Sequence, residues 1–70
     1  MDADLNEQIR TAVAAEDGAA IGAIVDGLRF RGRLTHAGCV ARFQEAVPAL
    51  SASEVDGLFA LADETAAGEG

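Results

Sequence analysis

The chain contains no lysine, no tryptophan and no tyrosine, and has a single cysteine, proline, histidine and methionine among its 70 residues. Each shortage excludes something. One cysteine, Cys39, rules out an internal disulfide and suits a reducing compartment better than a secreted scaffold. One histidine and one cysteine fall short of the four ligands of a structural zinc site, or the three of a catalytic one. No apolar run nears the ~20 residues of a membrane span. The first residues carry Asp2, Asp4 and Glu7 in place of the basic segment that opens a signal peptide. A cytoplasmic protein is the expectation, and heavy use of Ala, Gly and Arg without Lys fits a GC-rich prokaryotic or phage genome.

What is present is acidic and aliphatic. The net charge is −7, and it is unevenly placed. Residues 1–28 hold six acids against Arg10; residues 29–44 hold Arg29, Arg31, Arg33 and Arg42 with no acid; residues 45–70 hold six acids and no cation. An acidic body of this kind repels nucleic acid and anionic membranes, yet its middle is a basic island. The seventeen large apolar side chains between Leu5 and Leu61 allow only a thin core, and chains this short often lean on a partner subunit.

The apolar residues recur at helical spacing, which predicts an all-α fold, a compact bundle of three or four short helices. Residues 1–64 form one helical domain in this reading, and 65–70 a frayed polar tail. Asp4 and Glu7 suggest a capping box for a helix from about Leu5 to Glu16, with Leu5, Ile9, Ala12 and Val13 on its buried face. Asp17 can cap a second helix whose stripe is Ile21, Ile24, Val25 and Leu28, and Gly32 suits its C-terminal cap near Arg31. Thr35 can open a third helix bearing His36, Val40, Phe43, Val47 and Leu50 on one face, with Pro48 turning the last of these out of the helix. Ser51 and Glu54 form the best capping box in the chain, before a fourth helix with Val55, Leu58, Phe59 and Ala62. The recurrence of Val25-Asp26-Gly27-Leu28 as Val55-Asp56-Gly57-Leu58 has few further identities around it and reads as coincidence.

No catalytic site is expected. His36 and Cys39 stand at helical spacing, but no oriented base or oxyanion hole accompanies them, and Cys39 reads as a small buried hydrophobe beside Val40 and Phe43. The acids lie where helix N-termini and solvated faces put them, and no phosphate-cradling glycine loop exists. No metal and no cofactor is implied.

The informative feature is Arg29-Phe30-Arg31-Gly32-Arg33. Phe30 lies about 200° around the helix from Leu28, off the buried stripe. The bland alternative is that the arginines complement a helix dipole and Phe30 folds onto Leu34. The first functional reading is a small acidic protein-binding module, a regulator, adaptor or inhibitor, that docks on another protein through Arg29, Phe30, Arg31, Arg33 and Arg42. The alternative is a nucleic-acid-binding module using the same basic turn; the acidic remainder and the single aromatic weigh against it. A further expectation is a homodimer built on the small residues Gly18, Ala19 and Gly22 of the second helix, which would let another helix approach closely.

Overall fold

A computed structural model describes residues 2–69, and each helix boundary in it has a local cause. The four helices are α1 (Asp2–Ala15), α2 (Gly18–Phe30), α3 (His36–Ala46) and α4 (Ala52–Glu69), with no strand among the described residues. The fold is the all-α bundle that the periodicity predicts. Asp17 caps α2, its Oδ1 accepting from the Ala20 N–H at 3.2 Å. Thr35 does the same for α3, with Oγ1 accepting from the Gly38 N–H at 3.2 Å. At α4 the capping box is complete: the Ser51 N–H donates to Glu54 Oε1 at 3.0 Å, and the Glu54 N–H donates to Ser51 Oγ at 3.2 Å.

Three boundaries differ from the sequence expectation. Helix α1 begins at Asp2, so Asp4 lies within its first turn, where its charge faces the positive end of the helix dipole, instead of at the cap. Gly32 does not take the left-handed conformation after α2; Arg33 does, with φ of 56°. Gly32 is needed for a steric reason, because a Cβ there would stand 2.8 Å from the Leu28 carbonyl oxygen. That carbonyl accepts from the Leu34 N–H at 3.1 Å, which closes the reversal. Helix α4 runs through residues 65–69, where a frayed tail was expected. Thr65 Oγ1 donates to the Leu61 carbonyl at 2.9 Å, and the helix here still packs on α2 through Thr65. The α1–α2 junction also uses a left-handed residue: Glu16, with φ of 51°, sits between an Asp17 N–H to Ala12 carbonyl bond (3.0 Å) and a Glu16 N–H to Val13 carbonyl bond (3.1 Å).

Every helix contributes to one core. Ile9 and Ala12 come from α1, Ile21 from α2, Cys39, Phe43 and Ala46 from α3, and Val55, Phe59 and Ala62 from α4. Phe43 and Phe59 meet edge to face, with centroids 5.0 Å apart and planes at 88°. Leu5, Val13, Ile24, Val25, Leu28, Val40 and Leu58 close the edges, half-buried. His36, read as part of the α3 stripe, is exposed, with only its ring edge against Phe59.

The two glycines of α2's expected dimer face, Gly18 and Gly22, are turned toward α4. Gly18 is buried and Gly22 half-buried, both against α4 of the same chain. A Cβ on Gly18 would collide with Thr65 Oγ1 and stand 3.0 Å from the Leu61 carbonyl oxygen; one on Gly22 would stand 3.6 Å from Ala62 Cβ. Gly18 and Gly22 are thus removed from the expected dimer face, and of that set Ala19 alone is exposed. Close helix approach was the correct physical reading of these glycines, but the approaching helix is α4.

Gly18→Ala should therefore destabilise the fold by about 1–3 kcal/mol, as overpacking does. Gly57→Ala, in α4 with nothing within 4 Å of the added carbon, should stabilise by up to about 1 kcal/mol from helix propensity. Urea denaturation followed by circular dichroism measures both, and equal effects at the two sites would contradict the α2–α4 packing.

Candidate protein-docking surface

The last turn of α2 and the segment behind it present the basic island. Phe30 is 77% exposed, the one large hydrophobic so exposed among the described residues. Its ring does not fold onto Leu34. Leu34 is half-buried at the core edge, packed toward Gly38, and the reversal at Arg33 carries it away from the outer side of α2. Phe30 stays outside because its position on the helix points away from both α1 and α4.

Arg29, Arg31 and Arg33 are exposed, and no ion pair or side-chain hydrogen bond engages them among the described residues. Arg31 lies back along α2, with Nη2 3.0 Å from where a Gly27 side chain would begin. Arg42 is differently placed. Its side chain is only 15% exposed, donates to Asn6 Oδ1 across the α1–α3 contact, and stands 4.0 Å from Glu45 Oε2. Arg42 therefore ties two helices together and does not join Arg29, Arg31 and Arg33. Grouping it with them rested on nearness in sequence alone.

The acidic side of the molecule has its own relief. A groove of about 630 Å³ runs between α1 and α2, with Thr11, Ala12, Ala15, Ala20, Ala23 and Ile24 along it and Glu7 and Asp17 among its polar walls. It continues through Gln8, Ala23 and Ile24 into a second stretch of about 590 Å³ that ends at Arg31 and Gly32. Sequence reasoning passed over this groove, because its walls are alanines that also serve as good helix formers.

Cys39 and His36 are held in different surroundings. Cys39 is fully buried, and burial pushes its thiol above the usual value, opposed in part by the Arg29 cation. Local spacing placed no cation near this thiol; the α2–α3 packing supplies one. His36 turns outward, with Nε2 3.0 Å from Asp56 Oδ1, a pairing across 20 residues that no local pattern signals. The small cavity of about 110 Å³ that both border is walled by Phe59 and Ala62 as well as Asp26 and Asp63. Among the described residues, no three His, Cys, Asp or Glu side chains are grouped to hold a metal ion. Compared with protein-family models, with curated proteins and with solved structures, the chain matches none.

A buried thiol of raised pKa reacts slowly. A thiol reagent at neutral pH should label Cys39 at least about tenfold faster in denaturant than in the native protein. Equal rates would place the thiol at the surface.

Proposed function

We propose that this chain is a small acidic protein-binding module, a regulator, adaptor or inhibitor that acts by docking on another protein through Phe30 and the arginines around it. The observation that carries this reading is Phe30 itself, held 77% exposed between exposed arginines that have no ion pair among the described residues. Burying such a ring against a partner recovers roughly 1.5–3 kcal/mol that folding leaves unused. Aromatic and arginine side chains are also the types that dominate interface energies, and guanidinium forks pair bidentately with carboxylates. The turn rests on a rigid base, since Leu34 and Gly32 lock the reversal behind it, so little ordering cost attaches to docking.

The rest of the surface shapes the choice of partner. With a net charge of −7, the body steers toward basic ground and away from nucleic acid, while the turn seeks an acidic or apolar spot. No described helix is long and apolar enough to cross a membrane. Binding without chemistry of its own is the reading we adopt.

A Phe30→Ala, Arg31→Ala double variant should keep its helical circular dichroism and lose partner affinity by about thirtyfold, the ~2 kcal/mol typical of an interface hot spot. Capture experiments with Arg10→Ala as the control measure this. A variant that unfolds would return Phe30 to the core; one that binds unchanged would move the contact elsewhere; and retention on nucleic acid that falls steeply with salt would replace protein by nucleic acid as the partner.

A further inference from the structure

We propose that the surface on which Phe30 docks is provided by a second copy of this chain, whose α2 lies antiparallel to the first. The inference rests on the reading of Phe30 as a docking residue and names its partner. Helix α2 has α4 on its Gly18 and Gly22 side and α1 on its Ile24 and Leu28 side. One ridge remains open. It carries Ala19, Ala23, Asp26 and Phe30, all exposed and spaced as neighbours along one helix face. Three of these four side chains are apolar, and the only bulky one stands at the end.

The charge along α2 is polarised in the way an antiparallel copy matches. Glu16 and Asp17, both exposed, precede it; Arg29, Arg31 and Arg33, all exposed, end or follow it. Laying two α2 helices head to tail sets the basic end of each beside the acidic start of the other, and opposes their dipoles favourably. A parallel arrangement would oppose like charges at both ends.

The spacing closes the arrangement. Phe30 stands roughly 16 Å along the helix from Ala19, at a rise of about 1.5 Å per residue. A two-fold axis crossing the ridge at its midpoint, between the levels of Ile24 and Val25, brings each Phe30 level with the other copy's Ala19, at the start of its Ala19–Ala23 step. Beside that step lies the end of the 630 Å³ groove bordered by Ala15, Asp17 and Ala20, where small side chains leave room for a phenyl ring. Each copy thus gives one ring and receives one. Such an isologous contact closes as a dimer and leaves no end for a filament to grow from. One ridge buries less than the ~800 Å² per partner of a standard stable interface, so the dimer is weak and concentration-dependent.

Sedimentation velocity of the full chain tests this from low micromolar to about 1 mM, the range in which contacts of this size associate. The wild type should shift from monomer toward dimer, and Phe30→Ala should raise the dissociation constant by about tenfold or more while circular dichroism stays unchanged. Glu16→Arg alone, and Arg31→Glu with Arg33→Glu, should each weaken self-association. Mixed together, these two variants should recover a heterodimer, because reversed charges then face each other at one end and native charges at the other. A wild type that stays monomeric throughout overturns the second-copy partner. A dimer indifferent to Phe30→Ala, or variants that fail to recover on mixing, overturns the antiparallel α2 arrangement. A wild type that stays monomeric leaves the docking reading standing, since that reading is judged by the capture experiment with the Phe30→Ala, Arg31→Ala variant, so the two failures are separable.

Discussion

The architecture depends on the approach of two backbones, α2 at Gly18 and α4 at Leu61 and Thr65. Only an absent side chain permits it, since any Cβ on Gly18 would overlap Thr65 Oγ1. Once the two helices are this close, Gly22 falls against Ala62, Ile21 turns into the core, and Arg29 comes near Cys39. The same rotation of α2 leaves Ala19, Ala23, Asp26 and Phe30 facing outward. The packing that makes the fold is therefore also what exposes the candidate docking residue. A bulkier residue at Gly18 would push α2 away from α4 and loosen the base on which the basic turn stands.

Around that contact, the polar residues are mostly committed to ending helices. Asp17, Thr35, Ser51 and Glu54 satisfy backbone donors that helix starts would otherwise leave open. Chain reversals after α1 and α2 are made by Glu16 and Arg33 in the left-handed region, which side chains other than glycine adopt at some cost. Both flank α2. Its two ends carry opposite charge, acidic before Gly18 and basic after Leu28. This polarity is the electrostatic basis for reading α2 as the interacting helix.

The proposal of binding over chemistry rests on the contrast between Phe30 and the Cys39–His36 region. Chemistry needs a reactive group with a path to solvent and a base aimed at it. Cys39 is buried with its thiol held toward the neutral form, and His36, on the border of the same small cavity, is hydrogen-bonded to Asp56 at the surface. Phe30 has the opposite character, an apolar ring left 77% exposed. Arg42 shows that cation count alone is a poor guide to a binding patch, since hydrogen bonding to Asn6 commits it to the α1–α3 contact.

What the sequence by itself determined is whatever depends on a few consecutive residues. The caps at Asp17, Thr35 and Ser51/Glu54, the end of α3 before Pro48, the helical period and the position of Phe30 off the buried stripe all follow from contacts within one or two turns, whose geometry is the same in any fold. Tertiary structure decided everything that requires knowing which helix comes to lie opposite. It set Gly18 and Gly22 of α2 against α4, a choice the sequence leaves open because a glycine notch suits a helix of the same chain or of another. It placed Arg29 near Cys39, withdrew Arg42 to Asn6 and paired His36 with Asp56, each across a chain separation over which spacing carries no information. It also gave the left-handed position after α2 to Arg33, where the direction of the chain toward α3 outweighs the preference for glycine, and kept α4 helical at Thr65, whose side chain packs against Gly18 beyond the last apolar stripe.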